Sequence, residues 1–257
     1  MVNMFLLSTF VEAIAEMYCD AHVGKILLEI IQMLYAALDI WGVESPPVLL
    51  DGQTLAPYKV THSRHPVTLY IAGCKAHYLF ALELAVALGR AFERRYKHPH
   101  KSAYHAVALL QSGAPDVMPD SIDVGQWSEW LRKLTIGGKP LDPLKIDDAV
   151  RKTGTINPPK GTQFGVMCFG VEGANKDDKQ AMWLRLACPD ENGRVDCVRA
   201  HRNYYEHKST KFAMRWSKQD QPPSFVLTAI PNIRVVPLEP RAPPTAKKRR
   251  ISEIKNV

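Results

Sequence analysis

The stretch Tyr18-Cys-Asp-Ala-His-Val-Gly-Lys-Ile-Leu-Leu-Glu-Ile-Ile-Gln-Met-Leu34 decides the fold, because it has the pattern of a helix that is apolar on nearly every side. Its apolar positions are Val23, Ile26, Leu27, Leu28, Ile30, Ile31, Met33 and Leu34. Apolar residues around most of a helix are typical of one that is buried by its neighbours. We therefore predict a mainly α-helical domain organised around this segment.

The few polar residues of this helix form one stripe. His22, Lys25, Glu29 and Gln32 follow i, i+3, i+7, i+10 spacing, which aligns them on one side. Asp20 lies just upstream. Lys25 and Glu29 can pair at i, i+4, so a satisfied internal ion pair is one interpretation. The other is a cleft that presents an acid/base group and an amine nucleophile, with Asp20, His22, Lys25 and Glu29 as catalytic candidates.

The remaining helices of the first half follow from caps and breakers. We predict a helical region from Ser8 to Trp41, capped by Ser8 or Thr9 and divided by a break near Asp20 to Gly24. Residues 44–65 are expected to form a loop. The sequence then predicts a long helix from Pro66 to about Tyr96, and a short one from Ser102 as cap through Gln111.

The second half is less regular. One helix is expected around residues 123–134, a β-hairpin from runs 162–171 and 180–187, and a final helix from 195 to about 217. The predicted organisation is a helical domain (1–120), an insertion with the hairpin (121–187), a closing helix that packs back on the first domain (188–218), and a disordered Pro-rich basic tail (219–257).

The charge is segregated along the chain. The net charge is +7, from 33 Lys and Arg against 26 Asp and Glu. Residues 234–257 hold seven basic and two acidic residues, whereas 59–105 hold eight basic and two acidic residues besides six histidines. We call 59–105 the basic belt. It indicates either a phosphate-binding face or solvated helix surfaces with scattered cations.

Within the basic belt, the loop Tyr58-Lys-Val-Thr-His-Ser-Arg-His-Pro66 precedes a predicted helix start. Such a site binds phosphate well, because free backbone N–H groups add to the side-chain charge; a turn with a cap is the alternative. The predicted DNA-binding residues are Lys59, Thr61, His62, Arg64, His65, Lys75, Arg94, Arg95, Lys101, Arg202 and Tyr204.

The cysteines and the N-terminus restrict the compartment. Five widely spaced cysteines without a CxxC pair argue against a disulfide framework and favour a reducing, intracellular location. No zinc-finger spacing is present, so we expect no metal and no cofactor. The N-terminal residues lack a basic region before their apolar run, and no apolar run reaches spanning length, so neither a signal peptide nor a membrane partner is expected.

Two resemblances rest on these residues. Asp20, His22 and Glu29, followed by His65-Pro-Val-Thr-Leu-Tyr70, resemble the small helical pyrimidine-dimer DNA glycosylases of bacteriophage type. In that family an Asp-x-His turn leads to a helix whose catalytic glutamate lies seven residues after the histidine. The chain is also similar to largely uncharacterised phage and large-virus proteins. The elements it shares with them are Cys19 to Lys25, Tyr58 to Pro66, Pro189-Asp190 and Arg202-Asn-Tyr-Tyr205.

The glycosylase resemblance implies an enzyme that binds kinked double-stranded DNA and flips out a damaged or modified pyrimidine nucleotide. It assigns to Glu29 the stabilisation of charge, or the relay of protons, at the sugar. The family attacks C1′ with its N-terminal amine, and Lys25 could substitute for that amine here. Two alternatives stay open: a metal-dependent nuclease that uses Asp20, His22, Glu29, His62 and His65, and a non-enzymatic viral DNA-binding protein.

The basic tail adds a possible partner. Lys247, Lys248, Arg249 and Arg250 match a short nuclear-import pattern, and the alternative is an unspecific polycationic tail that speeds association with DNA. In a eukaryotic host the first interpretation predicts an import receptor as partner and the nucleus as location. In any other host the cytoplasm is expected.

Overall fold

A computed structural model describes residues 4–50, 52–143, 146, 197–209, 213–218 and 223. The helices are α1 (Val11–Met17), α2 (Asp20–Ile40), α3 (Pro66–Ile71), α4 (Lys75–Tyr96), α5 (Lys101–Gln111), α6 (Val124–Lys133) and α7 (Cys197–Ser209), with a 3-10 turn at Ala114–Val117. This order confirms the mainly α-helical fold. None of the described helices is long and apolar enough to span a bilayer.

Helix α2 is the centre of the domain. It packs most extensively on α4 and also contacts α3 and α5. Thirteen of its residues are buried, from His22 to Leu38, and the apolar ones join a core with the N-terminal segment Met4–Leu7. The prediction that this helix is buried rather than amphipathic at a surface is confirmed.

The break between α1 and α2 falls at Tyr18 and Cys19, slightly before the predicted interval. Helix α1 begins after Phe10, which makes no side-chain cap, so the predicted caps Ser8 and Thr9 are wrong. The Ser8 hydroxyl instead accepts a hydrogen bond from the Phe10 N–H at 3.2 Å.

The predicted helix from Pro66 to Tyr96 is two helices. Gly73 lies between them, and a Cβ at this position would stand 2.9 Å from Cδ1 of the buried Trp127. The backbone N–H groups at the start of α4 find hydrogen-bond acceptors outside the helix: those of Lys75 and Ala76 donate to the carbonyls of Pro119 and Asp120. The Trp127 ring therefore packs closely on the chain at the break between α3 and α4. Helical periodicity in the sequence does not reveal this break.

Two short antiparallel hairpins were not predicted. Strands β1 (Val48–Leu50) and β2 (Gln53–Leu55) pair in the expected loop, with Gly52 at φ +76° in their turn. Strands β3 (Thr135–Ile136) and β4 (Lys139–Pro140) pair after α6. The Asp51-Gly52 dipeptide is a hairpin signal that the sequence carries.

Other predictions fare differently. Helix α6 begins as expected, with a capping box between Asp123 and Gln126. The cap of α5 is the His100 ring, which accepts from the Ser102 N–H, so Ser102 is not the cap. Helix α7 ends at Ser209, and residues 213–218 are not helical, so the final helix is shorter than predicted. The hairpin at 162–187 and the tail, apart from residue 223, lie outside the described residues.

Arg95 joins three elements of the fold. Its guanidinium, whose side chain is 2% exposed, donates to the carbonyls of Ala15, Glu16 and Tyr18 at 2.8–3.1 Å. It also lies 3.7 Å from a carboxylate oxygen of Glu16 and of Asp20. Arg95, which lies on α4, thus satisfies the backbone carbonyls at the C-terminal end of α1. Because its guanidinium is buried, no phosphate can reach it, and the prediction that Arg95 binds phosphate is wrong.

We expect Arg95→Met to lower the free energy of unfolding by about 3–5 kcal/mol, because the change leaves buried backbone carbonyls and the largely buried Asp20 carboxylate without their cation. The adjacent Arg94 is the matched control. It is 60% exposed and pairs with Glu16, so Arg94→Met should change the value by less than about 1 kcal/mol. Urea unfolding followed by circular dichroism measures both, and equal effects would contradict the assignment.

Candidate functional site

The polar stripe of α2 exists, but its members lie at very different depths. His22 is 5% exposed and Glu29 is 9% exposed, whereas the Lys25 side chain is 56% exposed. Gln32 is half-buried. The helical spacing therefore predicted the alignment of the stripe, and the structure shows that only Lys25 is freely accessible to solvent.

His22 is held inside an aromatic cluster. Its Nδ1 lies 2.8 Å from the Tyr205 hydroxyl, which also accepts from the Cys19 N–H at 2.8 Å. The Phe5 ring lies 5.5 Å from the imidazole, and the Tyr18 ring stacks on Tyr205 at 5.9 Å. This surrounding suits a structural histidine better than a proton-transfer group.

Burial fixes the protonation of the phenols around His22. Desolvation is the main cause that raises the pKa of Tyr205 well above 10, and the nearby Cys19 adds to it. The Tyr205 hydroxyl therefore keeps its proton at neutral pH, and that proton can be donated to His22 Nδ1. Burial also raises the pKa of Tyr18, and the charge of Glu29 adds to this effect.

Asp20 begins α2 and is bound on several sides. Its Oδ2 accepts from the Ser217 hydroxyl at 2.9 Å, and its Oδ1 is 3.7 Å from Arg95. Its backbone N–H donates to the carbonyl of Arg215, and its carbonyl accepts from the Tyr96 hydroxyl. Asp20 thus ties the start of α2 to two distant segments.

The ion pair of Lys25 and Glu29 is the part of the stripe that reaches the surface of the domain. The Lys25 ammonium lies 3.7 Å from Glu29 Oε1, and the Glu29 side chain is 12% exposed. A solvent-facing amine and a largely desolvated carboxylate are the group types that serve as nucleophile and acid–base group in enzyme sites. The sequence placed this pair correctly as an i, i+4 contact.

The loop before α3 is a capped turn. His65 Nδ1 accepts from the Val67 N–H at 3.2 Å, and burial and His62 lower the pKa of His65 to about 4. Arg64 Nη2 donates to the carbonyls of Ile136 and Lys139 at 2.6 and 3.0 Å, which fastens the β3–β4 hairpin to this loop. The cap interpretation therefore describes His65 and Arg64 better than a free phosphate site.

The other predicted DNA-binding residues also divide by environment. Lys59, His62 and Lys101 are exposed, and Thr61 is half-buried. Lys75 pairs with Asp116 at 2.5 Å, and Arg94 pairs with Glu16. In α7, Arg202 Nε donates to the Leu7 carbonyl at 2.8 Å, and Tyr204 is 2% exposed. Arg202 and Tyr204 hold α7 on the N-terminal segment.

No metal centre forms from the nuclease candidates. Within the described ranges, no group of three or more His, Cys, Asp or Glu side chains is arranged to hold a metal ion. Asp20, His22, Glu29, His62 and His65 are all described, so they do not assemble into one such group. The import-like residues Lys247, Lys248, Arg249 and Arg250 lie outside the described residues, and their role stays a prediction.

Sequence reasoning missed a buried network behind the basic belt. Tyr35 Oη lies 2.7 Å from His105 Nδ1, and the Tyr58 ring stacks on the His105 ring at 4.4 Å. His77 is fully buried, stacks on Tyr70 at 3.9 Å and donates from Nδ1 to the Tyr70 carbonyl. Burial lowers the pKa of both His77 and His105 to about 4. The signal available in the sequence for these buried histidines was a single histidine on an otherwise apolar helix face, as at His77 and His105.

Because these histidines fold as neutral rings, stability should fall in acid. The ordinary histidine pKa is 6.5, so the unfolded chain binds more protons than the folded one as the pH falls from 6.5 towards 4. The stabilisation is complete above pH 6.5 and is lost towards pH 4, with a slope of up to about 1.4 kcal/mol per pH unit for His77. Denaturant unfolding of the parent and of His77→Phe over this range measures it. The variant should show a shallower slope, and parallel curves would contradict the assignment.

No family model, curated protein or solved structure matches this chain. The function therefore has to be argued from the side chains of the site.

Proposed function

We propose that this protein binds double-stranded DNA and cleaves the glycosidic bond of a damaged or modified pyrimidine after flipping the nucleotide out of the helix. The observation that carries the proposal is the exposed Lys25 amine 3.7 Å from the largely buried Glu29 carboxylate, on an otherwise apolar helix. The spacing of Asp20, His22 and Glu29, which resembles the phage-type glycosylases, agrees with it.

The pair suggests specific roles. Glu29 accepts a proton from the Lys25 ammonium, and the neutral amine attacks C1′ of the flipped nucleotide. The bond between C1′ and the base breaks, and the departing base takes the proton that Glu29 holds. The bond from C1′ to the ring oxygen O4′ then breaks, O4′ takes a proton from the attached nitrogen, and a protonated imine remains on Lys25. Removal of a C2′ proton from the imine would then expel the 3′ phosphate as in an AP lyase. Water in place of Lys25 gives a monofunctional glycosylase.

Phosphate contacts are assigned to the exposed cations of the basic belt. Lys59 and Lys101 are exposed, and Arg94 is 60% exposed beside its acidic partner. Exposed Lys and Arg bind phosphates by releasing counterions, so the affinity is expected to fall as salt rises. Arg95 is left out of this set because it is buried.

Borohydride trapping on a duplex with an abasic site tests the chemistry. We expect a covalent adduct with the parent chain, none with Lys25→Met, and about a hundredfold less with Glu29→Gln, because general acid–base groups contribute 10²–10⁴-fold. Lys133→Met, which removes an exposed amine from another i, i+4 pair with a glutamate (Glu129) outside the basic belt, is the matched control and should trap normally. An adduct that persists in Lys25→Met assigns the attack to another amine, and no adduct with the parent chain rejects the lyase.

A second candidate is a DNA-binding protein without catalytic activity. The bond from Tyr205 to His22, inside the aromatic cluster, favours it, because it makes part of the stripe a structural element. Under this interpretation the carboxylate of Glu29 serves the fold and not a reaction.

The two candidates differ in a paired measurement on Glu29→Gln and His22→Phe. If the stripe is structural, both variants melt at a lower temperature while their affinity for undamaged duplex DNA equals that of the parent. A Glu29→Gln variant that melts like the parent and loses product formation instead supports the enzyme. Differential scanning fluorimetry and fluorescence anisotropy with a labelled duplex provide the two readouts.

A further inference from the structure

Four rings gather where α4 ends and α5 begins. Phe92 stacks on Tyr96 with their centroids 4.4 Å apart, and the imidazoles of His98 and His100 meet Phe92 edge-on at 5.4 and 4.7 Å. We call Phe92, Tyr96, His98 and His100 the four-ring cluster. It is separate from the Tyr205 cluster around His22.

The four-ring cluster lies at the surface and not in the core. His98 is exposed, and the other three rings are half-buried. The two lysines that flank the cluster, Lys97 and Lys101, are both exposed. Lys97 has φ +62°, which ends α4 in a left-handed turn and brings the histidines back over Phe92. Aromatic rings at the surface between two cations are the combination that binds unpaired nucleotides, and His98 is the exposed ring of this cluster.

A glycine inside α2 sets the position of the cluster. A Cβ on Gly24 would stand 2.9 Å from Phe92 Cε2 and 3.6 Å from His100 Cδ2. Glycine within a helix is less stable than alanine, so helix propensity does not explain why glycine occupies position 24. The reason is that the ring of Phe92 lies directly on the helix backbone. The next residue in the chain is Lys25.

We propose that the four-ring cluster is a stacking surface for an unpaired nucleobase, with Lys97 and Lys101 on the phosphates beside it. Bases inside a duplex are stacked on their neighbours, so only an extruded or unpaired base can present a face to these rings. The inference rests on the proposed DNA binding, and it names which state of the DNA is preferred. Glycosidic bond cleavage is not required for it.

Binding is measured by anisotropy with two labelled duplexes, one fully paired and one that carries 2-aminopurine as an unpaired single-nucleotide bulge, so that neither contains an abasic site. The parent should bind the unpaired duplex more tightly, and the 2-aminopurine emission should be quenched beyond its value in the free duplex. His98→Ala should weaken binding to the unpaired duplex about tenfold, because stacking on a ring contributes 1–3 kcal/mol per base. Its affinity for the paired duplex should stay unchanged.

Two further variants separate stacking from charge and from general surface effects. Phe10→Ala removes a ring that is 72% exposed outside the cluster, and it should bind both duplexes like the parent. Lys101→Gln should reduce the slope of log affinity against log salt by about 0.9, since one phosphate contact is lost. His98 and Lys101 are both exposed, so the melting temperatures of His98→Ala and Lys101→Gln should match that of the parent.

The outcomes separate this inference from the proposed function. Equal affinity of the parent for both duplexes, without quenching, overturns the stacking surface and leaves DNA binding in place. Loss of affinity for both duplexes to the same extent in His98→Ala also overturns it. Failure of the parent to bind either duplex overturns both proposals.

Discussion

The fold depends on pairing the backbone polar groups that are exposed where α1 stops and α2 starts. A break between two buried helices leaves N–H and C=O groups in an apolar interior, where each unpaired group is costly. Here side chains and backbone from elsewhere complete the pairing. Arg95 and Tyr96 approach from α4, Tyr205 from α7, and Arg215 and Trp216 from the segment beyond it.

This pairing also determines what the polar stripe can do. The elements that satisfy the break cover the first turn of α2, so Asp20 and His22 become part of the joint. One turn later Lys25 reaches solvent, while Glu29 remains mostly desolvated. The members of a single stripe therefore differ in exposure, and Lys25 is the one that is freely accessible.

Local rules predicted what depends on local contacts. Periodicity identified α2 as buried, and the caps and breakers found the starts of α3 and α6. How deeply each side chain is buried was not predictable, because helical spacing shows which side chains share a face but not which neighbouring element covers them. Arg94 and Arg95 illustrate this: two adjacent arginines with the same apparent role are 60% and 2% exposed in their side chains. The partnership of His22 with Tyr205 spans 183 positions, and no pattern within one segment reveals it.

The long separations at the α1–α2 joint also govern the order of folding. The Cys19 N–H donates to the Tyr205 hydroxyl, and the Trp216 indole N–H donates to the Met17 carbonyl. The joint between α1 and α2 therefore cannot form completely until residue 216 has left the ribosome. Until then the N-terminal helices expose apolar surface and unpaired backbone. Contacts so distant in sequence slow folding, because the intervening chain must first be brought to one place. The N-terminal helices therefore stay incompletely paired over most of the synthesis of the chain, and truncation before residue 205 should leave the joint open and favour aggregation over a smaller stable domain.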